Sequence, residues 1–463
     1  MFTAVFAPRK SEFLRLLRLA GPLVLAQLAQ NGMSFVDTFM VGRLGPGALA
    51  AMALGATTFF TTSIVTSSVL FAVGPVVAQA IGAGRRDEAG HVASQALWLA
   101  VVFAVPGIVI FHSIGPLLYL FGLEPETAAL AAGYLRAISL GFPFFLGFQA
   151  LRGFLEGNGD ARPIMYIAFF GVALNVLLCE ALIFGHFGLP ALGVVGTGYA
   201  TATVYLVMFV LVAALVTWRY PKQAVLRGMR HLEFQVMREL VRVGWPIGFT
   251  TGAEVGLFTL SALLMGRFGE DILAGHQVAM QSVSMTFMVP LGMSIATGVL
   301  VGQAAGRGDD AAVRRMGFMG ILAAIGFMTL TACLFAFAPR YVIGIYASLD
   351  DPTNASMIAT AAGFLGIAAI FQLFDGVQVT AIGALRGLRD TRMPMLYTIF
   401  SYWLVGVPVG LLLAFKLGFG PRGLWFGMVA GLATSAVLMT VRFARRSRQV
   451  APVVLGSPTT RPS

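Results

Sequence analysis

Charged residues are scarce in this chain: 11% of its 463 residues are Asp, Glu, Lys or Arg, while 58% are hydrophobic. Soluble domains carry about a quarter charged residues, so the roughly three soluble domains that the length alone would suggest are excluded. Intrinsic disorder is excluded too, because it needs low hydrophobicity and high charge. Only two cysteines are present, Cys179 and Cys333, both inside apolar runs, which leaves neither a disulfide framework nor a multi-Cys zinc site. The net charge of +11 does not point to nucleic acid, because the basic residues fall in short clusters between apolar runs rather than on one solvated face. The sequence holds no nucleophile–base set, metal-ligand cluster or phosphate-binding loop, so neither an enzyme nor a bound cofactor is expected.

What the chain does have is long charge-free intervals. An ionised side chain at mid-bilayer costs at least about 2.5 to 3.5 kcal/mol, so these intervals mark membrane spans of roughly 20 residues or more. The spacing predicts twelve: 14–41, 48–80, 91–112, 128–151, 163–184, 194–217, 239–265, 274–304, 315–338, 356–385, 394–415 and 421–441. The basic N-terminus with its following apolar stretch is expected to be an uncleaved first span, because the first A-x-A-like site lies only near Ala48 to Ala50. Lys and Arg are enriched in cytoplasmic loops. With the N-terminus inside, 25 of the 31 basic residues fall in inside segments and 5 in outside loops, Arg136 lying within a span. Both termini are therefore expected in the cytoplasm.

The longest polar interruption, Trp218 to Arg242, divides the chain into a first lobe over 1–218, a cytoplasmic linker over 219–238, a second lobe over 239–443 and a cytoplasmic tail over 444–463. The lobes resemble each other. Gly42-Arg43-Leu44-Gly45 recurs as Gly266-Arg267-Phe268-Gly269, and Gln79, Gly82 and Gly84 recur as Gln303, Gly306 and Gly308, at an offset of about 224. Further on, Gly153, Asp160, Arg162, Gly188 and Gly193 recur as Gly383, Asp390, Arg392, Gly418 and Gly423, at an offset of about 230. Six spans per repeat make the repeats parallel, an arrangement typical of alternating-access transporters. The fold class expected is an all-α polytopic membrane protein of twelve transmembrane helices in two pseudo-symmetric six-helix lobes.

Four carboxylates lie inside predicted spans: Asp37, Glu180, Glu254 and Asp375. Acids in a membrane are costly unless they face a cavity, pair or bind a cation. At 1.5 Å per residue, Asp37 sits about 7.5 Å from the outer turn at Gly42 and Glu254 about 18 Å from Gly266. Asp375 is also deep. Asn175 and Cys179 share one face of the fifth span near the depth of Asp37, with Glu180 about 100° round from Cys179, and Thr201 one turn into the sixth span joins them. Removing a carboxylate from water favours uptake of a proton or a metal cation, which suits Asp37, Glu254 and Asp375 to a coupling role; Glu180, close to a helix end, is expected to reach the outer interface. By the repeat offsets Glu254 answers to Gln30, Asp37 to Ser261 and Asp375 to Phe145, so the two lobes carry different acids.

The residues themselves resemble the multidrug and toxic compound extrusion (MATE) family, NorM-like branch. The matching stretches are Phe35 to Gly45, Gln79-Ala80-Ile81-Gly82-Ala83-Gly84, Glu156 to Pro163, Ala274-Gly275-His276-Gln277-Val278-Ala279 and Leu385 to Pro394, within a similarity running from about residue 14 to 441. The resemblance implies two six-helix lobes about a central cleft and the export of organic cations in exchange for Na+ or H+. It implies that Glu254 and Asp375 serve cation and substrate in the second lobe, and that Asp37, Asn175 and Thr201 form a cation site in the first. Three positions depart from the family: Phe371 and Phe287 stand where some members have Tyr, and Cys179 where relatives carry a polar or acidic residue. A lost phenol removes an oxygen ligand and weakens the case for Na+ in the second lobe.

Gln277 and Gln281, one turn apart, are candidates to line the cleft, and Phe287 with Met285 and Met288 suits flat cations, as does Phe371. His276 is expected to bond locally. Pro22 and Pro246, at equivalent places, are expected to bend the first and seventh helices. The expected protein is a monomeric bacterial inner-membrane antiporter for amphipathic organic cations, with lipid as its surroundings. A lipid-linked precursor flippase, a membrane-embedded transferase and a generic sugar or peptide carrier stand as alternatives.

Overall fold

The computed structural model describes residues 10–120, 124–229 and 231–448, and its regular elements are all helical. In chain order the spans are α1 (Lys10–Gly42), α2 (Pro46–Ser67, resumed as Val73–Gly82), α3 (Arg86–Leu120), α4 (Pro125–Ser139 and Phe142–Asn158), α5 (Arg162–Phe184) and α6 (Val194–Arg219). The second set is α7 (Phe234–Met265), α8 (Glu270–Gly306), α9 (Asp310–Phe337), α10 (Ala355–Gly387), α11 (Arg392–Ile399, continuing to Lys416) and α12 (Pro421–Arg446). Among the described residues ten of these are long and apolar enough to cross a membrane, and α4, bent by 49° between its two pieces, makes an eleventh. The twelfth is α1. At 33 residues it is long enough, but Arg15, Arg18, Gln27, Gln30, Asn31 and Asp37 dilute its apolar character.

Two predicted spans are more irregular than their composition suggested. The stretch 48–80 is broken by a 3-10 turn at Leu70–Ala72, where Thr66, Ser67 and Ser68 turn their hydroxyls onto the carbonyls of Thr62, Ser63 and Val65 at 2.9, 2.5 and 2.9 Å. Such back-bonding competes with the helical ladder. In α11 the backbone widens into π-helix at Phe400–Gly406 and again at Leu412–Lys416. Several predicted ends fall short: α3 runs past 112 to Leu120, α4 past 151 to Asn158, α10 past 385 to Gly387 and α12 past 441 to Arg446, so that Arg152 and Arg386 lie inside helices.

The internal repeat is visible in the backbone. Gly45 (φ 107, ψ 174) and Gly269 (φ 115, ψ 165) each open the second helix of their set, in a region of φ and ψ that only glycine occupies readily. Before the sixth helix of each set, Gly193 (φ 57, ψ −134) and Gly420 (φ 57, ψ −140) match. The conformational partner of Gly193 is therefore Gly420 and not Gly423, because the loop before α12 is shorter than the one before α6. An acid staples each set: Asp160 Oδ2 accepts from Arg219 Nε at 2.9 Å and Tyr220 Oη at 3.0 Å, while Asp390 Oδ2 accepts from Arg442 Nε at 2.8 Å and lies 3.5 Å from Arg446 Nε.

The described residues fall into two compact units, one of 25–248 and the other of 10–24 with 249–448. The divisions lie inside α1 and α7, two residues past Pro22 and Pro246, around which both helices continue. In the first unit, the polar segment after α6 is firmly held. Val225–Gly228 is a single helical turn, and Ser94, Gln95 and Trp98 of α3 donate to the carbonyls of Val225, His231 and Met229 at 2.5, 2.8 and 2.9 Å. In the second unit the start of α1 is tied to α8 and α9: Arg15 donates to Gln303 Oε1 at 2.8 Å and Glu12 pairs with Arg315 at 3.3 Å. The core of that unit gathers Phe364, Phe371, Leu365, Trp425 and Leu432. Of the tail expected at 444–463, residues 449–463 lie outside the described residues, as does Arg230 of the linker.

Candidate functional site

In the unit of residues 25–248, α1, α5 and α6 converge on Asp37. Its Oδ1 accepts from Asn175 Nδ2 at 3.1 Å and from Cys179 Sγ at 3.3 Å; its Oδ2 accepts from Thr201 Oγ1 at 3.1 Å. Asn175 and Cys179 reach it together because residues four apart share a helix face. All four side chains are buried. The second acceptor of the amide, Asn175 Oδ1, has no hydrogen-bond partner among the described residues. The phenols of Tyr134 and Tyr205 lie within reach of the carboxylate's charge. Three donors on one carboxylate stabilise the anion where solvent cannot, and the unused Asn175 oxygen, the Thr201 hydroxyl oxygen and the carboxylate together offer oxygens to a small cation. Glu180 stands apart, as its angular position predicts: it lies 3.7 Å from Arg43 and 3.2 Å from His186 at the end of α5.

A buried cation that the charge-free intervals hid lies deeper in the same unit. Arg152 donates to Glu156 Oε1 at 2.7 Å, to Gln30 Oε1 at 2.9 Å and to Gln27 Oε1 at 2.6 Å, joining α4 to α1. Its side chain is only 8% exposed. The i, i+4 spacing of Arg152 and Glu156 was the legible signal, since it neutralises the charge within one helix.

In the other unit Asp375 is buried on α10, with Oδ1 lacking any partner among the described residues. Glu254 on α7 is half-buried, and the two carboxylates repel one another. Arg386 supplies an attractive charge to Glu254, and Tyr402 of α11 feels both acids. The repeat places Glu254 opposite Gln30 and Arg386 opposite Glu156, so the two units set different charges on the same scaffold.

Other predicted positions separate. Gln277 and Gln281 lie on the exposed side of α8 and Phe287 is half-buried. Phe371 is fully buried between Phe258 and Trp425, ring centroids 6.2 and 6.0 Å away, so its ring serves the core. His276 is packed edge-on against Phe364 and Trp425 at 6.3 and 5.6 Å. The sequence reading also missed Gln372, whose Oε1 accepts from Thr286 at 2.6 Å and Thr331 at 3.1 Å, tying α8, α9 and α10 together.

The MatE family model matches residues 22–180 and 246–412, covering both sets of helices. The chain belongs to the MatE family. It is 41% identical over 438 residues to a probable multidrug resistance protein NorM of Deinococcus radiodurans, covering 95% of this chain and 96% of that one. It is 42% identical over 434 residues to the multidrug resistance protein NorM of Burkholderia vietnamiensis, covering 92% of each. Among solved structures, an outward-facing multidrug resistance MATE transporter of the MOP superfamily superposes with a TM-score of 0.84 at 22% identity, over 94% of this chain and 96% of that one. A MOP superfamily transporter from Pyrococcus furiosus described as having a binding pocket of reverse polarity also reaches 0.84 at 22% identity, over 96% and 98%. At that identity the likeness speaks for the MATE fold of this MatE chain, a polytopic membrane protein of twelve helices in two lobes.

Proposed function

We propose that this MatE protein exports amphipathic organic cations across the bacterial inner membrane by alternating access, in exchange for Na+ or H+ moving inward. The observation that carries the reading is Asp37, buried and held by Asn175, Cys179 and Thr201 inside one helical unit of a chain about 40% identical to proteins named for multidrug resistance. Asp37, Asn175 and Thr201 bind the coupling ion in the first lobe, and Glu254 and Asp375 bind ion or drug in the second. Gln277, Gln281 and Phe287 contact the drug, with Phe371 backing them. Pro22 and Pro246 are the bending points of α1 and α7. The distribution of 25 basic residues against 5 supports an even number of crossings with both termini in the cytoplasm. The protein works as a monomer and without a cofactor.

The arrangement bears on energetics. The membrane potential supplies about 2.3 kcal/mol per net charge at 100 mV, but exchange of one ion for one monovalent organic cation moves no net charge, so the drug gradient must be driven by the ion's own concentration gradient, about 1.4 kcal/mol per tenfold, unless more than one ion enters per drug. Ethidium efflux from proteoliposomes under an imposed Na+ gradient, and separately under an imposed pH gradient, tests the reading. Efflux under at least one gradient is expected, abolished by Asp37→Asn or Asp375→Asn; no gradient-driven efflux, or efflux undiminished in both variants, overturns it.

A further inference from the structure

Several of the buried polar atoms without partners lie on α10, α11 and α12. Among the described residues, Asp375 Oδ1, both amide atoms of Gln378 and the hydroxyls of Thr398 and Ser401 are enclosed and make no hydrogen bond, and the enclosed hydroxyls of Tyr402 and Ser435 have at most each other. All six residues are at most 2% exposed. Native interiors leave few such groups, and each costs about 1 to 3 kcal/mol if it stays unpaired. Geometry brings Asp375, Gln378, Ser401, Tyr402 and Ser435 together, with Thr398 one turn before Tyr402 on α11. The ring pair of Phe371 and Trp425 fixes which face of α10 meets α12, and Asp375 and Gln378 follow on that face at i+4 and i+7 from Phe371. On α12, Gly431 admits α11 closely: a Cβ there would lie 3.0 Å from the Ser401 carbonyl oxygen and 3.5 Å from the Tyr402 ring. One turn on, Ser435 faces Tyr402. The three helices thus enclose a common polar seam, and its α11 wall is the π-helical stretch Phe400–Gly406, a distortion frequent at functional sites.

The seam is directional. Asp375 lies twelve residues before the end of α10 at Gly387 and Gln378 nine, about 18 and 13 Å at 1.5 Å per residue. Ser435 lies eleven residues before the end of α12 at Arg446, about 17 Å. Tyr402 is ten residues into α11 from Arg392 and Thr398 six, about 15 and 9 Å. The unpaired atoms therefore descend from Asp375 toward the end stapled by Asp390 and Arg442. In the other direction Phe364 stacks on Trp425 and Phe371 meets it edge-on, centroids 5.6 and 6.0 Å away, a mostly aromatic stretch in which Trp425 Nε1 and the neighbouring His276 Nδ1 are also unpaired among the described residues. Because the orphans include donors (Gln378 Nε2) as well as acceptors (Gln378 Oε1, Asp375 Oδ1), a bare cation cannot satisfy them all, whereas water both gives and accepts and makes about three bonds when buried.

We propose that Asp375, Gln378, Thr398, Ser401, Tyr402 and Ser435 line a file of bound water inside the second lobe, open toward the end where α10 meets α11, through which the coupling ion leaves Asp375. The proposal rests on the ion-coupled reading above, and assigns the release path to one lobe's interior. The experiment is radiolytic hydroxyl-radical labelling of the full chain in lipid nanodiscs, read at Tyr402, with ethidium binding and gradient-driven efflux measured in parallel. Tyr402, fully buried, is expected to be labelled because water lies against it. Ser435→Leu, which fills the seam, is expected to cut that labelling severalfold and slow efflux about tenfold with ethidium affinity unchanged, while Ser435→Ala, which keeps the seam open, is expected to retain the labelling. An unlabelled Tyr402 in the unsubstituted chain overturns the water file without requiring any variant to fold. Labelling that falls in Ser435→Leu while efflux holds overturns the release path. Absence of gradient-driven efflux in the unsubstituted chain overturns the ion-coupled reading, and with it the release path, whereas labelling of Tyr402 still decides the water file.

Discussion

The Thr201 hydroxyl donates to Asp37 Oδ2 at 3.1 Å, joining α6 to α1 across 164 residues of sequence. Asn175 and Cys179 occupy the other carboxylate oxygen, so Asp37 is an acceptor surrounded by donors. Asp37→Asn would turn an amide N–H toward one of those donors, where an unmade buried hydrogen bond costs about 1 to 3 kcal/mol. A lowered thermal midpoint in detergent is expected together with lost efflux. Thr201→Val, which removes one donor of three, is expected to retain part of the efflux; full retention of stability and efflux in Asp37→Asn would remove the carboxylate from any role.

Arg152 and Glu156 are expected to behave as a coupled pair. Breaking a buried ion pair by removing one partner costs about 3 to 5 kcal/mol, whereas replacing both by apolar residues is often near neutral. Arg152→Met alone, which also strands Gln27 and Gln30, should destabilise strongly, and Arg152→Met with Glu156→Met should recover much of the loss. A double-mutant cycle on thermal or denaturant stability checks this; additive losses would show that the two side chains do not depend on each other.

Gly45 and Gly269 test the repeat through the backbone. A Cβ on either would meet nothing within 4 Å, so any cost of Gly45→Ala or Gly269→Ala comes from φ and ψ alone, about 1 to 3 kcal/mol. Gly42→Ala, inside α1 and equally uncrowded, should be neutral or slightly stabilising. Equal midpoints for all three variants would contradict the assignment of strain.

Glu180 is expected to be dispensable for transport. Its partners Arg43 and His186 are more than half exposed, and ion pairs in that setting contribute about 0 to 1 kcal/mol. Glu180→Gln should therefore leave ethidium efflux within about twofold, and a larger loss would bring Glu180 into the ion site.

The number and order of helices were readable because a charge inside lipid is expensive, and that rule located all twelve spans. The same rule cut α4 short, because Arg152 is neutralised by Glu156 one turn away and a neutralised charge no longer marks a boundary. Depth arithmetic grouped Asp37, Asn175, Cys179 and Thr201 correctly, since helical rise and periodicity are local properties. What one helix's periodicity cannot supply is how partner helices turn toward each other. Gln378, Tyr402 and Ser435 each looked like ordinary polar residues in apolar runs, and their grouping depends on the ring contact between Phe371 and Trp425 and on the close approach allowed at Gly431.

The membership of α1 has a consequence for how the protein is made. Residues 25–248 form an uninterrupted unit, whereas residues 10–24 belong with 249–448. A ribosome adding about 5 to 20 residues per second completes the first unit before any helix of the second has wholly emerged. The opening turns of α1, with Glu12 and Arg15 still lacking Arg315 and Gln303, must stay uncommitted for roughly 15 to 60 s at that pace. These turns are made before the rest of α1 yet are among the last to find their place, which makes biogenesis of the second unit the step most exposed to premature release or proteolysis.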